Sequence, residues 1–416
     1  NVGTSTPTEK LTVIGNISNI TGASTTITLK STFSTSLSSP YTVHVQGNYA
    51  YIVNYGVSGN GTLQIVDVSN PSNPVSISTL SIGAGSGPIS LFVSGNYAFL
   101  TNYLNDTISV VDVSNPKTPV LLSTLTLASG ADPYGISVQG NYAYVVENGP
   151  DTMDVIDISN PKSLVVVGTV STMGANPQSI YVQGRYAYVT AVAGLSLTKI
   201  DISNPTFPII TASTTFTGPT FGVAIAGRYA YVTEGNNLNV IDISNPSTLT
   251  NVGTSTGLST PVGVFVSGRY VYTTNQGNDT MRIVDVASST APVTLAPSIT
   301  IGSSAYSIYV SGRYAYALGS DLRIIDISGA EVSSILAHSA EVGNLQSRGE
   351  VFARGAVTAM GGLVVGVQGI NSQGPISAYA SSTSATTSVF SINSLQTNNI
   401  FRVFATGLIG IGTSTP

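Results

Sequence analysis

Few residues in this 416-residue chain are suited to chemistry. It has two histidines, His44 and His338, and no cysteine. An imidazole titrates near neutral pH and serves as a base or metal ligand when a partner orients it. His44 lies in the alternating stretch TVHVQ, which reads as a strand with a packed or channel-facing ring. Asp151, Asp154 and Asp157 resemble a carboxylate cluster, and the Asn105-Asp106-Thr107 and Asn278-Asp279-Thr280 loops carry oxygen ligands of the kind calcium takes. None has the spacing of an established calcium loop. Asn and Asp in such places ordinarily serve turns. No HExxH, phosphate-binding loop, nucleophile elbow or Cys-His pairing is present. The expectation is a non-enzymatic protein with no catalytic residue, metal site or cofactor.

Modification is better supported than catalysis. The N-x-S/T pattern occurs at Asn16, Asn19, Asn60, Asn105 and Asn278, which are candidate glycosylation acceptors. Three of them fall in predicted loops between strands.

One aspartate recurs in a fixed phrase, at Asp67, Asp112, Asp157, Asp201, Asp242, Asp285 and Asp326. It ends an apolar run and, in the first five copies, precedes Ser-Asn-Pro. Two readings stand: a structural Asp that accepts backbone N–H bonds in an Asx turn, and a ring of ligand carboxylates. Copies in register favour structure, because ligand sites break repeat symmetry while scaffolding keeps it. Blades four to seven carry Arg185, Arg228, Arg269 and Arg313 in a turn where the first three carry Asn48, Asn96 and Asn141. These arginines are expected to pair with the repeated aspartates.

The elements that position these residues repeat as well. Gly-x-Tyr turns fall at Gly47, Gly95, Gly140, Gly184, Gly227, Gly268 and Gly312, at spacings of 41 to 48 residues. A period in the low forties with strand patterning predicts propeller blades of four strands. In the third copy the strands are 134–139, 142–147, 153–158 and 164–170. The first two are joined at Gly140-Asn141, residues that tolerate positive φ. Tyr142 and Tyr144 share one face of the sheet and Ala143 the other. Such pairs read as packing between blades, with a sugar-stacking platform as the other reading. The fold class expected is all-β, a seven-bladed β-propeller with N- and C-terminal β extensions.

The phrases LQIVDVSNP, ISVVDVSNP, MDVIDISNP and LNVIDISNP, each after a GNYAY, GNYAF or GRYAY turn, resemble the LVIVD-repeat family. The resemblance covers about 290 residues and weakens at Val286-Ala287-Ser288-Ser289 and Ile327-Ser328-Gly329, where Asn-Pro is lost. It implies a β-propeller and an extracellular setting, and brings no catalytic motif with it.

The ends differ from the middle. Residues 1–38 read as an N-terminal β extension, 39–337 as the propeller and 338–416 as a Gly/Ser/Thr-rich β domain or stalk. Two segments compete to complete the last blade, 331–337 and the N-terminal segment. The former is expected, since it follows Asp326 at the usual spacing. The five residues Gly-Thr-Ser-Thr-Pro occur at both 3–7 and 412–416. The closing GIGTSTP resembles stalk segments of phage tail fibres and long surface proteins. The expectation is a self-associating filament or surface-fibre subunit joined head to tail through terminal strands. The alternative is an adhesin or binding module that uses a propeller face for glycans or proteins.

Composition agrees with an extracellular or cell-surface location. Charged residues are 8% of the chain, against about 25% in ordinary domains. The net charge of −5, with no basic block, excludes recognition of nucleic acid through its phosphates. No apolar run is long enough to cross a bilayer. Expected partners are therefore further copies of the chain, glycans or surface proteins.

Overall fold

The computed structural model describes residues 27–171 and 174–327, together with three short strands near the C-terminus. Seven four-stranded antiparallel sheets make a β-propeller. In the first blade the strands from inside to outside are Pro40–Gln46, Tyr49–Asn54, Gly61–Asp67 and Val75–Gly83. Blades two to six repeat the order over 88–126, 133–171, 177–215, 220–255 and 261–300.

Alternation of strand direction gives the ring two unlike faces. The turns between first and second strands lie with the loops between third and fourth strands on what we term the lower face. The loops between second and third strands lie with the connections between blades on the upper face. At the lower face the seven turn glycines have φ of 58° to 62°, and the residue after each glycine does not. Only one position of the turn therefore requires glycine. The next one is free to be Asn in three blades and Arg in four.

Large and small residues alternate on the second strands as the sequence indicates. The second tyrosine of each pair is buried between blades, as with Tyr51, Tyr144, Tyr188 and Tyr231, and Phe99 takes the same place in blade two. Burial pushes the Tyr144 and Tyr188 hydroxyls up to about 12. The alanines between them, such as Ala50, Ala143 and Ala230, have no exposed surface. A small residue there lets the neighbouring blade approach closely.

Polar clips add direction to this packing. Ser78 Oγ donates to the Pro116 carbonyl of the next blade at 2.6 Å, and Ser123 Oγ to that of Pro161 at 2.6 Å. Between blades four and five Lys199 is buried. Its Nζ donates to the carbonyls of Ile243 and Asn245 at 3.0 and 2.9 Å and lies 4.1 Å from the Tyr186 ring centroid. Burial lowers its pKa.

The closing strand is not the one expected. Blade seven consists of Ser307–Ser311, Tyr314–Leu318 and Leu322–Asp326, and its outer strand is Thr28–Phe33 from the N-terminal side. This corrects the assignment of that place to 331–337, a segment outside the described residues. It also moves Thr28–Phe33 out of the supposed extension and into the ring. The physical reason lies in the pattern of the outer strand. Ser31 follows a register shift against Ile325 and Ile324, as Ser78 does against Val66 and Ile65. Its Oγ donates to the Pro71 carbonyl at 2.7 Å, so blade seven is clipped to blade one as blade one is to blade two. Phe33 joins the core between them. Thr28 pairs with Asp326, so the described part of the propeller begins at Ile27 and ends at Ile327, side by side on the lower rim.

The C-terminal unit spans Gly349–Pro416. Its described strands, Ser388–Ile392, Phe401–Phe404 and Ile409–Ile411, form one antiparallel sheet. No helix among the described residues is long and apolar enough to cross a membrane.

Candidate functional site: a tyrosine basin on the upper face

The seven inner strands run from the upper face to the lower turns, so residues at one strand position form a ring around the axis. Six residues before the turn glycine stand Tyr41 and Tyr134, second in the inner strands of blades one and three, and Tyr306, just ahead of that of blade seven, with other residues in the remaining blades. Two more tyrosines, Tyr55 and Tyr103, come from the upper loops of blades one and two. All five are half-buried and line a cavity of about 560 Å³. Tyr41 and Tyr306 stack with ring centroids 4.5 Å apart and planes 9° apart. Tyr103 meets Tyr134 edge-on at 6.2 Å. The Tyr41 and Tyr134 hydroxyls lie 3.3 Å apart.

A second chamber of about 400 Å³ adjoins the basin, reaches blades four to six and shares Tyr41, Tyr134, Tyr306 and Ile89 with it. Its polar lining is neutral: Thr42, Ser90, Ser179, Ser307, Gln178 and Gln276. Burial raises the pKa of Tyr134, Tyr41 and Tyr103, and for Tyr103 the carboxylate of Asp132 adds to the effect. These hydroxyls stay protonated and serve as donors and acceptors at any physiological pH.

Deeper along the axis His44 sits in an aromatic layer, with its ring 4.6 Å from Tyr309 and 5.1 Å from Phe92. Phe265 is 4.8 Å from Tyr309 on the same layer. Burial lowers His44 to about 4, so its ring is neutral. No carboxylate lines either cavity. His338 lies outside the described residues.

Of the carboxylates singled out in the sequence, Asp106, Asp279 and Asp151 are kept apart and engaged by the backbone. Asp106 takes a left-handed conformation, φ 54°, and accepts the N–H of Gly130 and Asp132, both at 2.8 Å. Asp279 accepts that of Ser304 at 3.0 Å, and Asp151 that of Asn176 at 2.8 Å. These bonds tie each upper loop to the following connection. Among the described residues no group of three or more His, Asp or Glu could hold a metal ion. Asn60, Asn105 and Asn278 are exposed on the upper loops, and Asn16 and Asn19 lie outside the described residues.

The repeated aspartates lie on the opposite face. Asp67, Asp112, Asp157, Asp201 and Asp242 each accept the N–H of the serine two residues on, at 2.8 to 2.9 Å. Asp285 accepts that of Ala287 at 3.0 Å. Arg185, Arg228, Arg269 and Arg313 pair with Asp201, Asp242, Asp285 and Asp326, and Lys30 reaches Asp326 at 3.3 Å. The arginine hydrogen bond, with the Ser N–H and hydroxyl, holds Asp201 and Asp242 down to about 2.

Asp154, grouped in the sequence with Asp151 and Asp157, is paired in the structure with Glu147, which the sequence reading did not single out. Glu147 and Asp154 are buried together in blade three. Burial first, and then the Asp154 charge, push Glu147 up to about 8. Blade five has Glu234 and Asn239 in the same places. There Asn239 Nδ2 donates to Glu234 at 2.6 Å, and Thr217 and Gly218 donate from the backbone at 2.9 and 2.8 Å. Burial raises Glu234, but these bonds outweigh it and hold the carboxyl below its usual value.

The basin tyrosines were also missed, because they lie outside the repeated phrase. The available signal was the departure from symmetry: Tyr six residues before the turn glycine in three blades, and Asn-Tyr after the second strand in two.

The LVIVD repeat matches seven times, at residues 41–80, 89–126, 132–172, 174–215, 217–256, 262–298 and 302–339. The chain belongs to the LVIVD-repeat family. No curated protein matches it. Among solved structures the LVIVD-repeat propeller is similar to hydrazine synthase of Kuenenia stuttgartiensis, with 18% identity over 71% of this chain and 97% of that one and a TM-score of 0.58. It is similar to the periplasmic gluconolactonase of Pseudomonas aeruginosa, with 17% identity over 64% and 86% and a TM-score of 0.57. Virginiamycin B lyase of Staphylococcus aureus gives 14% identity over 72% and 99% and a TM-score of 0.57. At these identities the likeness is one of fold.

Proposed function

We propose that this LVIVD-repeat protein is a non-enzymatic, extracellular binding module that engages its partner through the upper face. The observation that carries this reading is the opposition of the two faces. The described propeller begins at Ile27 and ends at Ile327 on the lower rim, and the tyrosine basin opens on the other face. Neither point lies beside the basin. Tyrosine suits the task because its ring offers apolar contact and its hydroxyl a polar handle at little cost in conformational entropy. The low charge and the Ser/Thr-rich surface support the extracellular setting, and exposed Asn60, Asn105 and Asn278 are open to glycosylation. Intact-mass measurement of native material above the polypeptide mass is the expected result.

The second reading is a structural subunit of a filament or surface fibre, joined head to tail through terminal β segments. The recurrence of Gly-Thr-Ser-Thr-Pro at 3–7 and 412–416 favours it. The two readings meet in one experiment, electron microscopy of the native assembly. Heads carried singly support the binding module. Regular rows of propellers with occluded upper faces support the filament and rule out a free basin.

A further inference from the structure

We infer that the basin takes a neutral glycan, with one sugar ring lying against Tyr55 and Tyr103 and the chain end reaching past Tyr41 and Tyr134 toward the chamber. This rests on the reading of the upper face as the binding face and names its ligand class.

The shape comes first. A cavity of about 560 Å³ that adjoins one of about 400 Å³ and shares three tyrosine rings with it is within the size range of small-ligand sites. Two adjoining cavities leave room for more than one sugar ring.

The chemistry of the lining then selects the class. No Lys, Arg, Asp or Glu lines either cavity. An anionic ligand would find no cation to offset its desolvation, and would face Asp132 and Asp106 near Tyr103. A cationic ligand would find aromatic faces, with Asp132 and Asp106 near Tyr103 but outside the lining and Asp106 already engaged by the N–H groups of Gly130 and Asp132. What the site does offer is aromatic surface beside protonated phenols in the basin, and hydroxyl and amide groups of Thr42, Ser90, Gln178 and Gln276 in the adjoining chamber. A sugar presents the matching surfaces, with apolar C–H groups on its ring faces and hydroxyls at its edge.

The geometry also divides the tyrosines by role. Tyr41 and Tyr306 stack on each other and Tyr134 is braced by both Tyr41 and Tyr103, so these form the fixed wall. Tyr55 and Tyr103 stand on loops and supply the contact faces.

The test is titration calorimetry of the full chain with maltohexaose, cellohexaose, mannohexaose and chitohexaose, and with hexagalacturonate and choline for comparison. The expected result is binding of at least one neutral hexasaccharide. Tyr55→Ala and Tyr103→Ala each weaken it about tenfold, in line with the loss of a stacked ring. Arg228→Ala on the lower face leaves it unchanged. Binding of hexagalacturonate or choline alone overturns the sugar class while keeping the face. So does self-association of the chain that Tyr103→Ala abolishes while all four sugars fail. Sugar binding that survives both tyrosine variants overturns the inference and the face together.

Discussion

The two faces of the propeller are built on opposite rules. On the lower face each blade uses the same turn, with glycine at φ near 60° and an aspartate that fixes the following loop. Variation there is paired: where Asn becomes Arg, the guanidinium finds the aspartate already present. On the upper face the blades differ. Five tyrosines converge from blades one, two, three and seven, and blades four to six contribute none. Repetition therefore marks what every blade needs in order to pack. The breaks in repetition on the upper face build the tyrosine basin.

The largest effect expected concerns closure, on which both faces depend. Removing Thr28–Phe33 uncovers the third strand of blade seven and deletes the Ser31 clip to Pro71. We expect a loss of more than about 4 kcal/mol, the scale at which a named structural element fails, measured by denaturant unfolding. Stability left intact would mean that another segment closes the ring.

Next is the contrast between blades three and five. Asp154→Asn recreates the arrangement of Asn239, since Thr169 donates to Asp154 at 2.6 Å as Thr254 does to Asn239 at 2.7 Å. In the folded protein Glu147 titrates at about 8, above its ordinary 4.5. Its stabilising effect is therefore complete below pH 4.5 and is lost as pH rises through 8. The variant is expected to be more stable at pH 8 by about 2 kcal/mol, with a smaller difference at pH 5. Urea unfolding at the two pH values checks the sign, and equal curves would show that the two carboxyls do not share a proton.

Smaller again is Tyr103→Ala. It is expected to cost less than about 1 kcal/mol of stability, because the ring is half-exposed. If thermal melting shows a core-sized loss instead, this tyrosine belongs to the scaffold and the contrast between the faces fails.

The smallest effect is that of Arg228→Ala. Solvent screens an exposed pair of this kind, so the melting temperature of the variant should hardly move. Asp242 is held low by Arg228 and the Ser244 contacts, so its contribution is present above about pH 4 and fades as pH falls toward 2.

Much of the lower face was legible in the sequence because it depends on neighbours. The Gly turn, the aspartate two residues before a serine N–H and the Tyr-Ala alternation are all local. The Arg–Asp pairs span only one hairpin. What depends on the ring as a whole was not legible. Ser31-Thr32 repeats the pattern of Ser78-Thr79 and Ser123-Thr124, but the motif is two residues long and stands some 290 residues from its partner strand. The basin tyrosines come from three strand starts and two loops, and only closure of the propeller brings them together. Glu147 and Asp154 look like ordinary loop-flanking carboxylates until the hairpin places them on one buried face.

The most direct test of the account is NMR of the full chain with ring-labelled tyrosine, recorded while the neutral hexasaccharides are added. Shifts confined to Tyr41, Tyr55, Tyr103, Tyr134 and Tyr306, with Tyr142, Tyr186 and Tyr229 at the lower turns unmoved, are the result predicted. Movement of the lower-turn tyrosines with the basin silent would contradict it.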